Sequence, residues 1–292
     1  MWNRISVVVA TTVCAGAWGQ DLYWTETIPG AVRTMDAQGV SWQTVVGGLN
    51  GPLALDADAG VAQAFMIEGG TGNIQRVNFD GTGLQTIVPG SPGYGQGIAL
   101  DPVNQKVWWS NWNTGDINNA NYDGTGVQTV FSVPSGIGGL DIDLTNQRVY
   151  IAATGSIISA NLNGSGLTTV YTSPGGNLLD VAVDAVNAKL YWTDNLLGKV
   201  QRSDLSGANV QDVLTSGLVT PIGIDVEPTL GKFFVANKGS GDIVSANLNG
   251  TGAQVLYSNP GMQTFGMAVV VPAPGAAGLV MCGLLALGRR RR

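Results

Sequence analysis

Tyr23-Trp24-Thr25-Glu26 is the first of a series. Runs of the same kind return at Phe65-Met66-Ile67-Glu68, Trp108-Trp109-Ser110-Asn111, Tyr150-Ile151-Ala152-Ala153, Tyr191-Trp192-Thr193-Asp194 and Phe234-Val235-Ala236-Asn237. The intervals between them are 42, 43, 42, 41 and 43 residues. Aromatic and β-branched residues fit a pleated, half-buried surface, so each run reads as a strand. A repeat of about 40 to 50 residues, rich in short strands and turn signals, is what one propeller blade looks like.

Two further marks recur in fixed order. About thirteen residues after each aromatic, an acidic, amide or hydroxyl residue leads into a glycine turn: Asp36-Ala37-Gln38-Gly39, Asp80-Gly81-Thr82-Gly83, Asp123-Gly124-Thr125-Gly126, Asn163-Gly164-Ser165-Gly166, Ser206-Gly207-Ala208-Asn209 and Asn249-Gly250-Thr251-Gly252. Such pairs accept positive φ and make hairpin turns. Asn163 and Asn249 also have glycan-acceptor spacing, which the turn explains equally well. Later in each unit comes a small residue and an apolar run, usually ending in an acid: Leu53 to Asp56, Ile98 to Asp101, Leu140 to Asp143, Val181 to Asp184, Ile222 to Asp225, and Met267 to Val271 without one. That run has the buried character of a strand beside a central channel.

A blade is therefore an inner strand, an aromatic strand, a third strand, a glycine turn and an outer strand. The chain starts on an aromatic strand (22–26) and finishes on an inner one (266–271). Pairing the two closes a six-bladed, all-β ring and removes the open edges of an incomplete sheet. Residues 20–271 then form one propeller domain, each blade burying its faces against its neighbours.

Tyr191-Trp192-Thr193-Asp194, Tyr23-Trp24-Thr25-Glu26, the Gly97-Ile98-Ala99-Leu100-Asp101-Pro102 run and the Asp-Gly or Asn-Gly turns together resemble the YWTD repeat, also called the low-density lipoprotein receptor class B repeat. The resemblance covers roughly residues 21 to 271. It implies a six-bladed propeller, extracellular in most members, that binds proteins through one face. The first and fifth units carry the motif most fully, while Ala152-Ala153 replaces Thr-Asp in the fourth and Met66-Ile67 replaces Trp-Thr in the second.

The two ends read as transport segments. Residues 1–19, with Arg4, an apolar stretch from Ile5 to Ala17 and small residues before Gln20, have the form of a secretory signal cleaved after Ala17 or Gly19. Residues 272–292 run from Val271-Pro272-Ala273-Pro274-Gly275 through an apolar stretch, Ala276 to Gly288, to Arg289–Arg292. That stretch is short for a spanning helix, which needs about 20 residues. The tail resembles the PEP-CTERM sorting signal cut by exosortases of polysaccharide-producing bacteria, with Ala273 where that signal usually has Glu. It implies an exosortase-type processing enzyme, transient inner-membrane attachment, and a final location that is secreted, at the cell surface or in the extracellular matrix. A retained hydrophobic anchor is the other reading.

Both cysteines, Cys14 and Cys282, fall in these segments, so the propeller has no disulfide to rely on. Without the terminal segments the domain keeps nine basic residues against 20 acidic ones, a net charge of about −11. That excludes nucleic-acid binding, which needs positive charge facing phosphates. The chain has no histidine, which excludes His-based triads and the usual zinc sites.

Carboxylates are left for acid/base work or for a hard cation such as calcium. Glu26, Glu68, Asn111, Asp194 and Asn237 end successive aromatic strands and should form a ring on one rim. The ring suits a calcium or lactonase-like centre; it equally suits turn capping, because repeat-equivalent positions usually serve the repeat. Asp56, Asp101, Asp143, Asp184 and Asp225 read as turn residues for the same reason. The third unit departs from the repeat at Trp112, and the glycine-rich connection before it carries Tyr94. Strand alternation places both on one face, beside Glu68, where exposed aromatics would make a binding site; packing between blades is the plainer role. The reading is a non-catalytic binding scaffold for a protein or surface polysaccharide. The alternative is a calcium-dependent hydrolase or lactonase on the same fold.

Overall fold

The computed structural model describes residues 21–90, 95–134 and 136–271. Tyr94 and both transport segments lie outside the described residues. Those residues form 24 strands, β1 to β24, in six four-stranded antiparallel sheets arranged as a ring. The inner strands are β4 (Pro52–Asp58), β8 (Gly95–Asp101), β12 (Ile137–Asp143), β16 (Leu178–Asp184), β20 (Pro221–Glu227) and β24 (Thr264–Val270). The second strands, carrying the aromatic runs, are β1 (Asp21–Glu26), β5 (Gln63–Glu68), β9 (Lys106–Asn111), β13 (Arg148–Ala153), β17 (Lys189–Asp194) and β21 (Lys232–Asn237).

Ring closure occurs as the strand phase predicts. β24 pairs antiparallel with β1, from Asp21 opposite Val270 to Glu26 opposite Thr264, and β2 (Ala31–Asp36) and β3 (Trp42–Gly47) complete that sheet. All six second strands share one burial pattern, a half-exposed first residue followed by five buried ones. Aromatic rings meet across blades, as in Tyr23 on Phe79 at 4.6 Å and Phe65 on Tyr122 at 4.4 Å between centroids. The core is thus a circle of inter-blade layers, as the geometry of aromatic pairs favours.

Strand alternation defines two faces. Connections between second and third strands, and between outer and next inner strands, emerge on a loop face; the tight turns emerge on the opposite turn face. Asp21 and Val270, which are cross-strand partners, both lie at the turn face.

A hydroxyl clasp joins alternate blades. Thr25 Oγ1 donates to the Leu53 carbonyl at 2.5 Å, Ser110 Oγ to Gly138 at 2.6 Å and Thr193 Oγ1 to Ile222 at 2.6 Å. The second, fourth and sixth blades have Ile67, Ala152 and Ala236 at this position.

Candidate functional site

The rim residues lie at the loop end of their strands, but their side chains are taken up by hydrogen bonds to surrounding loops and, for Glu26, to Arg33 of its own blade and Tyr257 of the neighbouring one. Glu68 is buried and accepts the Asn50 N–H at 2.8 Å and the Thr71 hydroxyl at 2.7 Å. Glu26 accepts from Arg33 Nε at 2.9 Å and from the Tyr257 hydroxyl at 2.6 Å. Asn111 accepts from Asn113 and Thr114, and Asn237 from Val219. Asp194 accepts the N–H groups of Leu197 at 3.0 Å and Asn177 at 3.2 Å. Such bonds satisfy loop amides that would otherwise have no partner. Among the described residues no three acidic or thiol side chains come together to hold a metal ion.

The loop held by Asp194 carries two exposed leucines. Leu196 and Leu197 are 69% and 50% exposed, and Val219, in the next connection, is 54% exposed. Gly198 sits against the Leu218 carbonyl, and the Gly239 amide donates to the Val219 carbonyl at 2.8 Å, so the two connections adjoin. Beyond them Lys238 lies 5.4 Å from the centroid of the Phe265 ring at the channel mouth. Exposed apolar side chains on adjoining loops are the kind of surface that a partner can cover. Trp112 is on the same face but half-buried, its carbonyl accepting the Gly136 N–H at 2.8 Å. The leucine pair was missed in the sequence because it follows the motif directly and reads as ordinary turn filling.

The channel requires a correction. Cross-strand pairing puts Asp56, Asp141 and Asp225 opposite Phe65, Tyr150 and Phe234, and Ala99, Ala182 and Ala268 opposite Trp108, Tyr191 and Tyr23. Asp56 and Asp225 therefore do not belong with Asp101, Asp143 and Asp184, because their strands run two residues past them. The true counterparts are Asp58 and Glu227. Asp101, Asp143 and Asp184 do hold turns, each binding the amide and side chain of an Asn three residues on.

Aspartate and alanine thus alternate around the channel, and the inner strands explain why. Each is an edge strand whose channel-side N–H has no strand partner. Asp56 accepts from Ala57 at 2.7 Å and from Leu100 of the next blade at 2.8 Å. Asp141 serves Ile142 at 2.6 Å and Val183 at 2.7 Å, and Asp225 serves Val226 and Val269, both at 2.6 Å. Three carboxylates so satisfy one amide from each of six blades. Asp180 adds a fourth, accepting from Val181 and Ile224, both at 3.0 Å. Gly139 leaves room for it, since a Cβ there would overlap the Asp180 carboxylate.

These four carboxyls and Gln96 are the polar side chains of an axial cavity of about 60 Å³. Leu53, Ile222 and Phe265, with Leu179, pack together at its loop-face end. The four carboxyls keep part of their surface accessible along the channel, but desolvation is still the leading effect on them. It pushes Asp56 up to about 6, Asp141 to about 7 and Asp180 to about 8, with mutual repulsion adding to the rise and the amide bonds opposing it. Asp225 is raised well above the usual range, first by burial and then by Asp56.

With this geometry in view, comparison with known proteins supports the fold. No family model matches the chain. A 47-residue stretch, 16% of the chain, is 36% identical to low-density lipoprotein receptor-related protein 4 of Mus musculus, and equally to that of Rattus norvegicus. It spans only 2% of either protein. Among solved structures, a chain of a nidogen/laminin complex superposes with a TM-score of 0.77 at 14% identity, covering 87% of this chain and 99% of that one. TolB from Acinetobacter baumannii gives 0.71 at 13%, covering 87% and 67%. At such identities the likeness shows the fold alone: a six-bladed β-propeller.

Proposed function

We propose that the protein is a non-catalytic binding scaffold that takes a protein partner on its loop face. The exposed Leu196 and Leu197, with exposed Val219 in an adjoining connection, carry this reading, because the leucines are displayed by a loop that Asp194 pins in place. The resemblance of the repeats to receptor-type propellers, and the nidogen/laminin origin of a structural neighbour, support a protein ligand. The terminal segments support export, with residues 272–292 holding the chain at the inner membrane until an exosortase-type enzyme releases it to the cell surface or matrix.

The test is binding of the purified propeller to envelope or matrix extracts, with and without protease treatment. Leu196→Ser with Leu197→Ser should weaken binding at least tenfold, about 1.4 kcal/mol, and leave the melting temperature nearly unchanged. Undiminished binding by this variant would reject the patch. Retention after protease treatment, with loss on Trp112→Ala, would favour a polysaccharide on the Trp112 side. For export, mass spectrometry should find a C-terminus near Pro272 to Gly275; soluble exported protein ending in Arg292 would refute processing.

A further inference from the structure

The four channel aspartates hold an unusual balance. Each uses both oxygens as acceptors from backbone amides, which favours the charged form. Yet among the described residues no lysine or arginine lines the cavity, and the titratable groups that bear on the four are Asp58 beside Asp56, with the Tyr122 hydroxyl bonded to Asp58, Asp143 beside Asp141, and the aspartates themselves. Lys238, at the mouth, lies over the Phe265 ring. Four negative charges around about 60 Å³ without a counter-charge cannot all persist at low cost.

We propose that the axial crown of Asp56, Asp141, Asp180 and Asp225 is a proton-binding site that makes the cohesion of the ring respond to pH. Protons, rather than a metal ion, neutralise the crown, and each one taken up removes repulsion between blades that the carboxyls themselves join. Asp180 is the foremost site, being the carboxyl outside the six-amide pattern and pressed between Gly139 and the next inner strand.

The direction follows from linkage. The folded-state values of these aspartates lie above the unfolded value, so their stabilising contribution is complete below the unfolded value and is lost as pH rises through about 6 to 8. The absence of histidine leaves this window nearly free of other side-chain titrations. Asp21, pushed up to about 6 by burial at the ring seam and by Asp36, shares it, so Asp21→Asn serves as the background.

In that background the melting temperature should fall by several degrees between pH 5 and pH 8, and Asp180→Asn should reduce the fall. Infrared spectra should show a protonated-carboxyl stretch at pH 6 that disappears above pH 9 and is weaker in Asp180→Asn; this second readout holds even if the variant is less stable. A flat or rising melting temperature together with no protonated-carboxyl band would overturn the proposal. So would a saturable rise in melting temperature with millimolar calcium at pH 8 that Asp180→Asn abolishes, because the crown would then hold a cation.

Discussion

Thr193 shows how a single atom can join two blades. Its hydroxyl donates to the Ile222 carbonyl in the next inner strand, a group that valine in its place would leave buried without that bond. Thr193→Val should therefore lower the unfolding free energy by about 1 to 3 kcal/mol, measured by urea denaturation. Asp194 sets the neighbouring loop in the same way. Asp194→Ala should speed amide hydrogen exchange at Leu197 and Asn177 while the blade strands keep their protection. The repeat made both residues legible as structural positions. What it concealed was the Asp/Ala alternation, because an acid following an apolar run looks like the end of a strand. Asp56-Ala57-Asp58 and Asp225-Val226-Glu227 continue through the acid, and only the pairing register reveals it.

At the scale of elements, β24 is the informative case. Its pairing with β1 was readable because the chain begins and ends out of phase with its own repeat, and no local propensity had to be trusted. A chain ending at Gln263 would leave β1 as an open inner edge and lose the amide that Val269 gives to Asp225. It should aggregate or unfold, whereas a chain ending at Gly275 should melt like the full propeller; equal melting temperatures by circular dichroism would contradict the closure. The small residues before each apolar run were equally readable, and their purpose is now physical. At Gly97 a Cβ would fall 2.5 Å from the Gly139 Cα, so neighbouring inner strands could not approach as they do.

The whole ring is better described as three pairs of blades than as six equal ones. The first, third and fifth blades reach forward with a hydroxyl, and the second, fourth and sixth with a carboxylate, while the fifth adds the carboxylate of Asp180 to its hydroxyl. Tryptophan follows the same alternation: Trp24, Trp109 and Trp192 stand where the other blades have Met66, Ile151 and Val235. The two kinds of junction respond to different conditions, since only the carboxylate kind changes with pH. The loop-face patch has no such periodic signal, which is why Leu196 and Leu197 emerged only from their exposure.

The placement of Asp21 and Val270, the two ends of the propeller, side by side on the turn face has a mechanical consequence. A ligand held on the loop face and a tether beyond Val270 would pull β24 along its own axis. Its bonds to β1, from Asp21–Val270 to Glu26–Thr264, would then be loaded in parallel and would have to rupture together. Force applied between Asp21 and Val270 would instead open the same ladder one rung at a time. Between residues 21 and 271 the chain has no cysteine, so a handle at Asn195→Cys can be installed uniquely there. Single-molecule pulling between that handle and Val270 should require clearly more force than pulling between the two ends, making the seam strongest in the direction in which a bound partner would load it.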